Sequence, residues 1–263
     1  MKNFIAALAV TGLATAALGQ VGSGGTITDG DSSFSLGEYT GDGSGTGPLS
    51  DFSVDAGASN TDHLFQTWWW FRLAGDARET AFSGATSWSY SGNIARLTYT
   101  YPQFRATIQF VVTGVESGLG FLTQTVTLVN TTNAPLMINL FNYQDLDMAE
   151  TSSNDAADQS GVNIISVNDT ASDWRAEYEG TNAFQVASFD NIREFLSDGN
   201  LDNLNGTGLP FGPGDWTGAY QWSFTLNPRG AASASATTTI VPAPGAAGLL
   251  GLAGLVAARR RRG

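Results

Sequence analysis

Large apolar and small polar side chains alternate one by one along much of this chain. Over residues 220–226, Tyr, Trp, Phe and Leu occupy every second position, and Gln, Ser and Thr stand between them. Successive side chains of a β-strand point to opposite faces, so this spacing predicts a strand with one buried and one solvated face. The same alternation recurs over residues 96–101, 107–112 and 122–129. A chain with this pattern is expected to fold into antiparallel sheets.

About ten short strands, separated by glycine-rich and polar turns, follow from this pattern. The remaining strands are expected over residues 64–73, 86–90, 136–143, 162–167, 174–178, 184–189 and 231–240. The turn chemistry of residues 130–135 predicts that the strands on either side of it, 122–129 and 136–143, form a hairpin. One short helix is expected over residues 191–196, with Asp190 as its N-cap. The predicted fold class is therefore all-β, an antiparallel β-sandwich.

Glycine is concentrated near the start of the chain. Of the 32 glycines in 263 residues, nine lie between Gly22 and Gly47, interleaved with Ser, Thr and Asp. Such a stretch buries little apolar area, so residues 20–50 are expected to be a flexible segment. The β-sandwich domain is then assigned to residues 51–240.

Composition excludes several functional classes. The chain has no cysteine and a single histidine, His63, which excludes disulfide scaffolds, thiolate zinc sites and cysteine nucleophiles. Its net charge of −12 is unsuited to nucleic acid, whose phosphates are neutralised by Lys and Arg. The sequence contains no nucleophile elbow and no phosphate-binding loop. At the start of the 64–73 strand, His63 is expected to be a hydrogen-bonded strand-end residue and not a catalyst.

Residues 1–19 have the three parts of a secretory signal peptide. Lys2 provides the positive start, an apolar run extends from Phe4 to Leu18, and small residues stand at the end of the segment. We therefore predict that the protein is exported and that signal peptidase cleaves it after Gly19.

The C-terminal end carries a second signal in three parts. Prolines stop the preceding strand, an uncharged apolar segment from Ala246 to Ala258 follows, and a basic tail ends the chain. As a helix, residues 243–258 would span roughly 24 Å, less than the ~30 Å hydrocarbon core, so they predict a transient membrane anchor. The basic tail predicts a cytoplasmic stop signal. The proline-containing motif is Val241, Pro242, Ala243, Pro244 and Gly245, and the tail is Arg259, Arg260, Arg261 and Arg262.

This order of prolines, apolar helix and basic tail resembles the PEP-CTERM sorting domain of Gram-negative bacteria. Pro242 and Pro244 match the two prolines of the family motif, and Ala243 stands where the family has glutamate. The resemblance implies that a membrane-embedded exosortase recognises and cleaves residues 241–263. It also implies a protein first anchored in the inner membrane and then delivered to the cell envelope or extracellular space. A plain C-terminal membrane anchor is the alternative.

The charge is unevenly divided between the ends and the body of the chain. Removing residues 1–19 and 241–263 deletes five bases and no acid, which leaves seven arginines against 24 acids, a net charge of −17. A body with this charge is repelled by anionic lipids and polysaccharides unless divalent cations bridge them.

Three consecutive tryptophans make residues 63–72 the most unusual segment. In a strand, Trp68 and Trp70 share one face and Trp69 points to the other. One face can then fill the core while the other offers a stacking platform for sugar rings, a candidate ligand-binding site. The alternative is a central strand that is buried on both faces.

Acidic residues form two candidate sites. Asp145 and Asp147, two apart at the end of the 136–143 strand, project to the same side, where paired carboxylates could serve as glycosidase acid and base or as calcium ligands. Asp198, Asn200 and Asp202 have the spacing that begins a calcium loop, without its later glycine and glutamate. The alternative for both groups is a solvated acidic loop.

A polar loop is expected after Asp147, with Glu150, Asp155 and Asp158 in it. Calcium, suggested by the two candidate acidic sites above, is the one candidate cofactor.

Taken together, these features predict a non-enzymatic, exported protein of the envelope or extracellular matrix. A secreted carbohydrate-binding module that uses the tryptophan strand, or a glycan-active enzyme that uses Asp145 and Asp147, is the alternative. Besides signal peptidase and an exosortase, the expected partner is an exopolysaccharide.

Overall fold

The structure is a computed structural model that describes residues 23–241, apart from residues 40, 42, 44, 56–59, 116–117, 173 and 182. In this part of the chain there are eighteen strands, one 3-10 turn (Met148–Glu150) and one α-helix, α1 (Asn191–Ser197). The strands are β1 (Gly25–Asp29), β2 (Ser32–Leu36), β3 (Ser50–Asp55), β4 (Asn60–Asp62), β5 (Gln66–Leu73), β6 (Thr80–Ala81), β7 (Ser87–Ser91), β8 (Ile94–Thr100), β9 (Phe104–Gly114), β10 (Gly120–Asn130), β11 (Leu136–Leu146), β12 (Asp155–Gly161), β13 (Ile164–Asp169), β14 (Arg175–Glu179), β15 (Phe184–Ser188), β16 (Phe211–Gly214), β17 (Trp216–Leu226) and β18 (Ala231–Val241).

The strands form three antiparallel sheets. The largest has nine strands in the order β16-β12-β13-β14-β18-β10-β9-β8-β7, and the second has five in the order β15-β17-β11-β5-β6. The third consists of β1-β2-β3-β4. The all-β prediction is confirmed by this architecture.

The two larger sheets pack face to face as a β-sandwich. Phe71 of β5 contacts Phe104 of β9, with ring centroids 5.0 Å apart, and Tyr220 of β17 contacts Tyr178 of β14 at 4.7 Å. The third sheet packs on the same face of the nine-stranded sheet, because Phe34 of β2 stacks on a β9 phenylalanine at 5.1 Å. One continuous apolar core therefore lies between the nine-stranded sheet and the two smaller ones.

A buried hydrogen-bonded cluster links the two larger sheets inside this core. Gln124 Oε1 of β10 accepts hydrogen bonds from Trp69 Nε1 at 3.1 Å and from Asn142 Nδ2 at 3.3 Å. Gln124 Nε2 donates to the Thr67 hydroxyl at 2.9 Å, and that hydroxyl donates to the carbonyl of Tyr143 at 2.9 Å. All five residues are buried. Because buried polar groups need their partners, the cluster fixes how the sheets are aligned.

The glycine-rich segment is part of the folded domain, which corrects the predicted boundary at residue 51. β1 and β2 lie within residues 20–50, and β2 pairs with β3 so that Phe34 is opposite Phe52. Ile27, Phe34 and Leu36 are buried. The segment has few apolar side chains, but their alternation is sufficient to attach two strands to the core.

The segments with alternating residues form strands, as predicted. Ile108, Phe110 and Val112 of β9 and Val126 and Leu128 of β10 are all buried, which confirms the inward faces. β17 begins four residues earlier than its alternating part, and its first half is buried on both faces.

The predicted hairpin of strands 122–129 and 136–143 is wrong. β10 pairs with β9 and β18, whereas β11 pairs with β5 and β17 in the opposite sheet. The Asn130 side-chain amide donates to the carbonyls of Ala134 at 2.8 Å and Asn227 at 3.0 Å. The turn therefore crosses between sheets, because turn residues reverse the chain without specifying which strand it then pairs with.

Helix α1 begins where it was predicted. Asp190 occupies the N-cap position in a left-handed conformation, with φ of 64°, but its side chain makes no capping hydrogen bond. The carboxylate pairs instead with Arg193. Asp190 is therefore the N-cap residue, as predicted, although its carboxylate bonds to Arg193 and not to a backbone amide of the helix.

The predicted export signals fall almost entirely outside the described residues, which begin at Ser23 and end at Val241. β18 ends at Val241, the first residue of the predicted sorting motif. In the described part of the chain, no helix is long and apolar enough to cross a membrane.

Candidate functional site

The three consecutive tryptophans are core residues. Trp68, Trp69 and Trp70 are at most 1% exposed, so the predicted sugar-stacking platform is wrong and the alternative of a strand buried on both faces is confirmed. Trp68 Nε1 donates to the carbonyl of Phe82 at 2.9 Å. The indoles have no surface to offer a ligand.

Helix α1 and the loop after it cover part of the outer face of the five-stranded sheet. Arg193 of α1 donates to Gln66 Oε1 of β5 at 3.3 Å. In the following loop, the Leu204 amide donates to Gln221 Oε1 of β17 at 2.9 Å. This second covering layer was not evident from the sequence, where only the inward face of each strand was expected to be buried.

The predicted pair Asp145 and Asp147 forms a three-carboxylate cluster with Asp215. One carboxylate oxygen from each residue lies within 4.8 Å of the other two. β11 and β17 pair so that Leu146 is opposite Trp216, and this antiparallel register places the residues just beyond the paired segment side by side. We call these three residues the acidic cluster.

Burial and like charge together disfavour ionisation in the acidic cluster. Burial raises the pKa of Asp145 to about 8, with further contributions from the charges of Asp147 and Asp215. Burial and the charge of Asp215 raise the pKa of Asp147 to about 6, and burial also raises the pKa of Asp215. Asp145 is fully buried, whereas Asp147 and Asp215 are half-buried.

The two oxygen atoms of Asp145 differ in their surroundings. Asp145 Oδ2 accepts a hydrogen bond from the Tyr143 hydroxyl at 3.1 Å. Asp145 Oδ1 is buried and has no hydrogen-bond partner among the described residues. A buried carboxylate oxygen without a donor is unfavourable, so this atom is a natural acceptor for a proton or a cation.

Asp155 adds a fourth carboxyl group beside the acidic cluster. It begins β12 and is opposite Gly214, the residue before Asp215. Both of its carboxylate oxygens are buried without a hydrogen bond of good geometry among the described residues, although the Met148 amide favours the charged form. Burial, followed by the charges of Asp147 and other acids, raises its pKa to about 9. The prediction of a solvated polar loop is therefore wrong for Asp155.

A close backbone contact holds Asp155 in place. Gly212 of β16 has a φ of +87°, and a Cβ atom at this position would lie 2.1 Å from the carbonyl oxygen of Asp155. Any other residue would displace β16 from β12. Glycine at this position therefore allows β16 to lie directly against the backbone of Asp155.

His63 lies near the acidic cluster and is a hydrogen-bonded strand-end residue, as predicted. Its Nδ1 accepts a hydrogen bond from the Ala149 amide at 3.2 Å, and its ring lies 4.5 Å from that of Trp174. Burial lowers the pKa of His63 to about 4, although the charge of Asp169 opposes the shift. The imidazole is therefore neutral near neutral pH.

The preceding residue, Asp62, has a structural role. Its Oδ1 accepts hydrogen bonds from the amides of Phe52, His63 and Leu64 at 2.8 to 3.3 Å. Burial nevertheless raises its pKa to about 6.

In the second predicted metal group, Asp198, Asn200 and Asp202, the polar groups bond to one another and to neighbouring residues. The Asp198 carboxylate accepts hydrogen bonds from the amide and side chain of Asn200, both at 2.6 Å. Asp202 is held through its backbone, since its amide donates to Glu79 at 3.2 Å and its carbonyl accepts from Arg72. The segment is therefore a loop that is anchored by the buried Arg72–Glu79 ion pair.

Comparison with known proteins identifies the fold but not a family. No protein-family model matches the chain, and no curated protein sequence matches it. Solved structures with a similar fold include a bacterial glucoamylase complexed with acarbose, at a TM-score of 0.54 and 10% identity over 88% of this chain and 34% of that one. A galactose mutarotase related enzyme from Lactobacillus acidophilus is similar at a TM-score of 0.53 and 8% identity, over 83% of this chain and 97% of that one.

The chain spans about a third of the length of the glucoamylase. At these identities the likeness shows the fold alone, a β-sandwich. It gives no residue-level correspondence for the acidic cluster.

Proposed function

We propose that the body of this chain is an exported carbohydrate-binding β-sandwich protein, with the acidic cluster at its ligand site. The observation that carries the proposal is the convergence of Asp145, Asp147 and Asp215 within 4.8 Å. Carboxylate oxygens accept hydrogen bonds from sugar hydroxyls, and the half-buried Asp147 and Asp215 are open to solvent in part. The fold shared with a glucoamylase and a mutarotase related enzyme supports carbohydrate as the class of ligand.

The surface charge favours a neutral glycan. The body carries 24 acids against seven arginines, so an acidic polysaccharide would be repelled. A neutral oligosaccharide with neighbouring hydroxyls suits a site that is rich in acceptors.

Burial of Asp145 favours binding over catalysis. A carboxyl group that keeps its proton near neutral pH has the property of a general acid. However, Asp145 is fully buried, and a general acid must come within hydrogen-bond distance of the glycosidic oxygen. We therefore propose a non-enzymatic protein. A glycan-active enzyme is the second candidate, since the pKa values of Asp145 and Asp147, about 8 and about 6, differ as those of an acid and a base do.

Binding to an array of neutral oligosaccharides tests the proposal. With the full chain in detergent, we expect binding that weakens at least about tenfold in Asp147→Asn and Asp215→Asn, because each change weakens a charge-assisted hydrogen bond. Asp158→Asn, an exposed change on β12, is the matched control and should bind as the wild type does. Binding by no array member, or equal loss in the control, would overturn the proposal. Hydrolysis of an oligosaccharide, measured as the release of reducing ends, would favour the glycan-active enzyme if Asp145→Asn abolishes it.

The two ends of the chain support export as a further part of this proposal. Residues 1–19 would direct the chain across the inner membrane, and residues 241–263 would hold it there until an exosortase-type enzyme cleaves it. Because β18 ends at Val241, the prolines follow the folded domain directly. Cleavage after Val241 would leave every strand of the sandwich complete.

The mass of the mature protein tests this sorting route. We expect a new C-terminus within residues 242–245 and an N-terminus at Gln20. A variant that lacks residues 242–263 keeps β18 complete and should be released into the medium without any C-terminal processing. An exported protein that still carries Arg262 would contradict the cleavage prediction.

A further inference from the structure

We infer that the acidic cluster binds a divalent cation of the hard, oxygen-preferring kind, with Ca²⁺ as the expected ion. The inference shares its residues with the proposed glycan site, but it concerns a different ligand and can be tested without any glycan.

The spacing of the three carboxylates suits one ion. Calcium binds oxygen ligands at about 2.3 to 2.6 Å, so two oxygens on opposite sides of one ion are at most about 5 Å apart. One oxygen each from Asp145, Asp147 and Asp215 lies within 4.8 Å of the others. The three oxygens can therefore contact a common ion without large movements of the backbone.

The buried, unpartnered oxygens are an independent indication of a missing positive charge. Asp145 is 0% exposed, and its Oδ1 has no hydrogen-bond donor among the described residues. Asp155 is also 0% exposed, and neither of its oxygens has a hydrogen bond of good geometry among the described residues, although the Met148 amide favours its charged form. A cation beside these atoms would satisfy the acceptors that the protein leaves unpaired.

No side-chain cation of the described residues satisfies the cluster. Arg193 is close enough to favour the charged form of Asp145. However, its guanidinium is paired with Asp190 and donates to Gln66 Oε1 at 3.3 Å. The guanidinium of Arg193 therefore already stabilises the position of α1.

The position of the cluster suggests what the ion does for the fold. Its ligands come from the end of β11, from the turn that follows, and from the residue before β17. Asp155 is at the start of β12, three strands from Val241 in the order β12-β13-β14-β18. A bound ion would join both sheets at the end of the sandwich from which the chain leaves toward residue 242.

Calcium titration of the full chain in detergent, after removal of metals with EDTA, tests the inference. We expect one ion per chain by calorimetry, with a Kd between about 10⁻⁴ and 10⁻³ M, the range of extracellular modules. At about a hundredfold excess over Kd, the unfolding temperature should rise by roughly 5 to 10 °C.

Matched variants locate the ion. Asp215→Asn and Asp147→Asn change half-buried side chains and should fold, but their Kd for Ca²⁺ should rise at least about tenfold. Asp158→Asn and Asp198→Asn should bind calcium as the wild type does. No thermal shift in the wild type, or loss of binding in Asp198→Asn with retention in Asp215→Asn, would overturn the inference.

The calcium and glycan experiments can fail separately. Calcium binding without affinity for any array member would leave this inference standing and overturn the proposed function. Glycan binding with no calorimetric signal for Ca²⁺ would overturn this inference and leave the proposed function standing.

Discussion

Replacing Arg72 with methionine is expected to lower the free energy of unfolding by about 3 to 5 kcal/mol. Arg72 is 5% exposed and pairs with Glu79, which is 2% exposed. The guanidinium also donates to the Asp202 carbonyl and to Asn203 Oδ1, the latter at 2.7 Å. Arg72→Met leaves a buried carboxylate without its cation and frees the loop that covers β5. Urea unfolding at pH 7 measures the loss.

The pH dependence of the loss of unfolding free energy in Arg72→Met separates a charge effect from a packing effect. Burial raises the pKa of Glu79 even with Arg72 present, and removing the cation would raise it further. Folded Glu79 then takes up a proton more readily than unfolded Glu79 as the pH falls, so the loss should be smaller at pH 5 than at pH 7. A loss that does not change with pH would indicate packing alone.

Two control variants sharpen this experiment. The double variant Arg72→Met, Glu79→Met removes both charges, so it should recover about half of the loss or more. Arg96→Met removes an exposed arginine that donates to Gln109, and it should change stability by no more than about 0.5 kcal/mol. A single variant Arg72→Met as stable as Arg96→Met would contradict the assignment of a structural ion pair.

Replacing Gln124 with leucine is the second large expected effect, a loss of about 2 to 4 kcal/mol. The substitution introduces an apolar side chain of similar size into the core and removes the acceptor of Trp69 Nε1 and Asn142 Nδ2. It also removes the donor to Thr67. The buried indole N–H and amide are then left without this partner, and desolvated donors are costly.

The same strand provides the control. Thr125, the next residue of β10, lies on the outer face, where its hydroxyl shares a hydrogen bond with the Ser235 hydroxyl at 2.7 Å. Thr125→Val should change the free energy of unfolding by no more than about 0.5 kcal/mol. If Gln124→Leu is equally mild in urea unfolding, the polar cluster does not hold the sheets in register.

The polar cluster also bears on the candidate site, because it positions β11. Asn142 accepts a hydrogen bond from the Tyr178 hydroxyl at 2.9 Å, and Gln144 accepts one from Thr238 at 2.7 Å. Along β11, Asn142 and Gln144 alternate with Tyr143 and Asp145, whose side chains point to the opposite face of the sheet. Fixing the inward side chains of β11 therefore fixes the position of the Asp145 carboxylate on the other side.

The sequence alone determined the strands with clear alternation and where their inward residues lie, but it missed β1, β2 and β12. Alternation is a local property, since a side chain's face depends only on its own position in the strand. For the same reason, Asp145 and Asp147 could be placed on one side of one strand. The signals at the two ends of the chain are also local and remain predictions.

Only the tertiary structure decided which strands meet and which faces are covered. Asp215 carries no motif of its own, and it joins the cluster because β17 pairs with β11 in one register. The three tryptophans lost their expected role because Trp69 points into the core between the sheets and Trp68 is covered by Tyr39 and Phe82. Strand pairing and burial depend on contacts between segments far apart in the chain. Alternation shows that a strand has two faces, but it does not show what lies against each face.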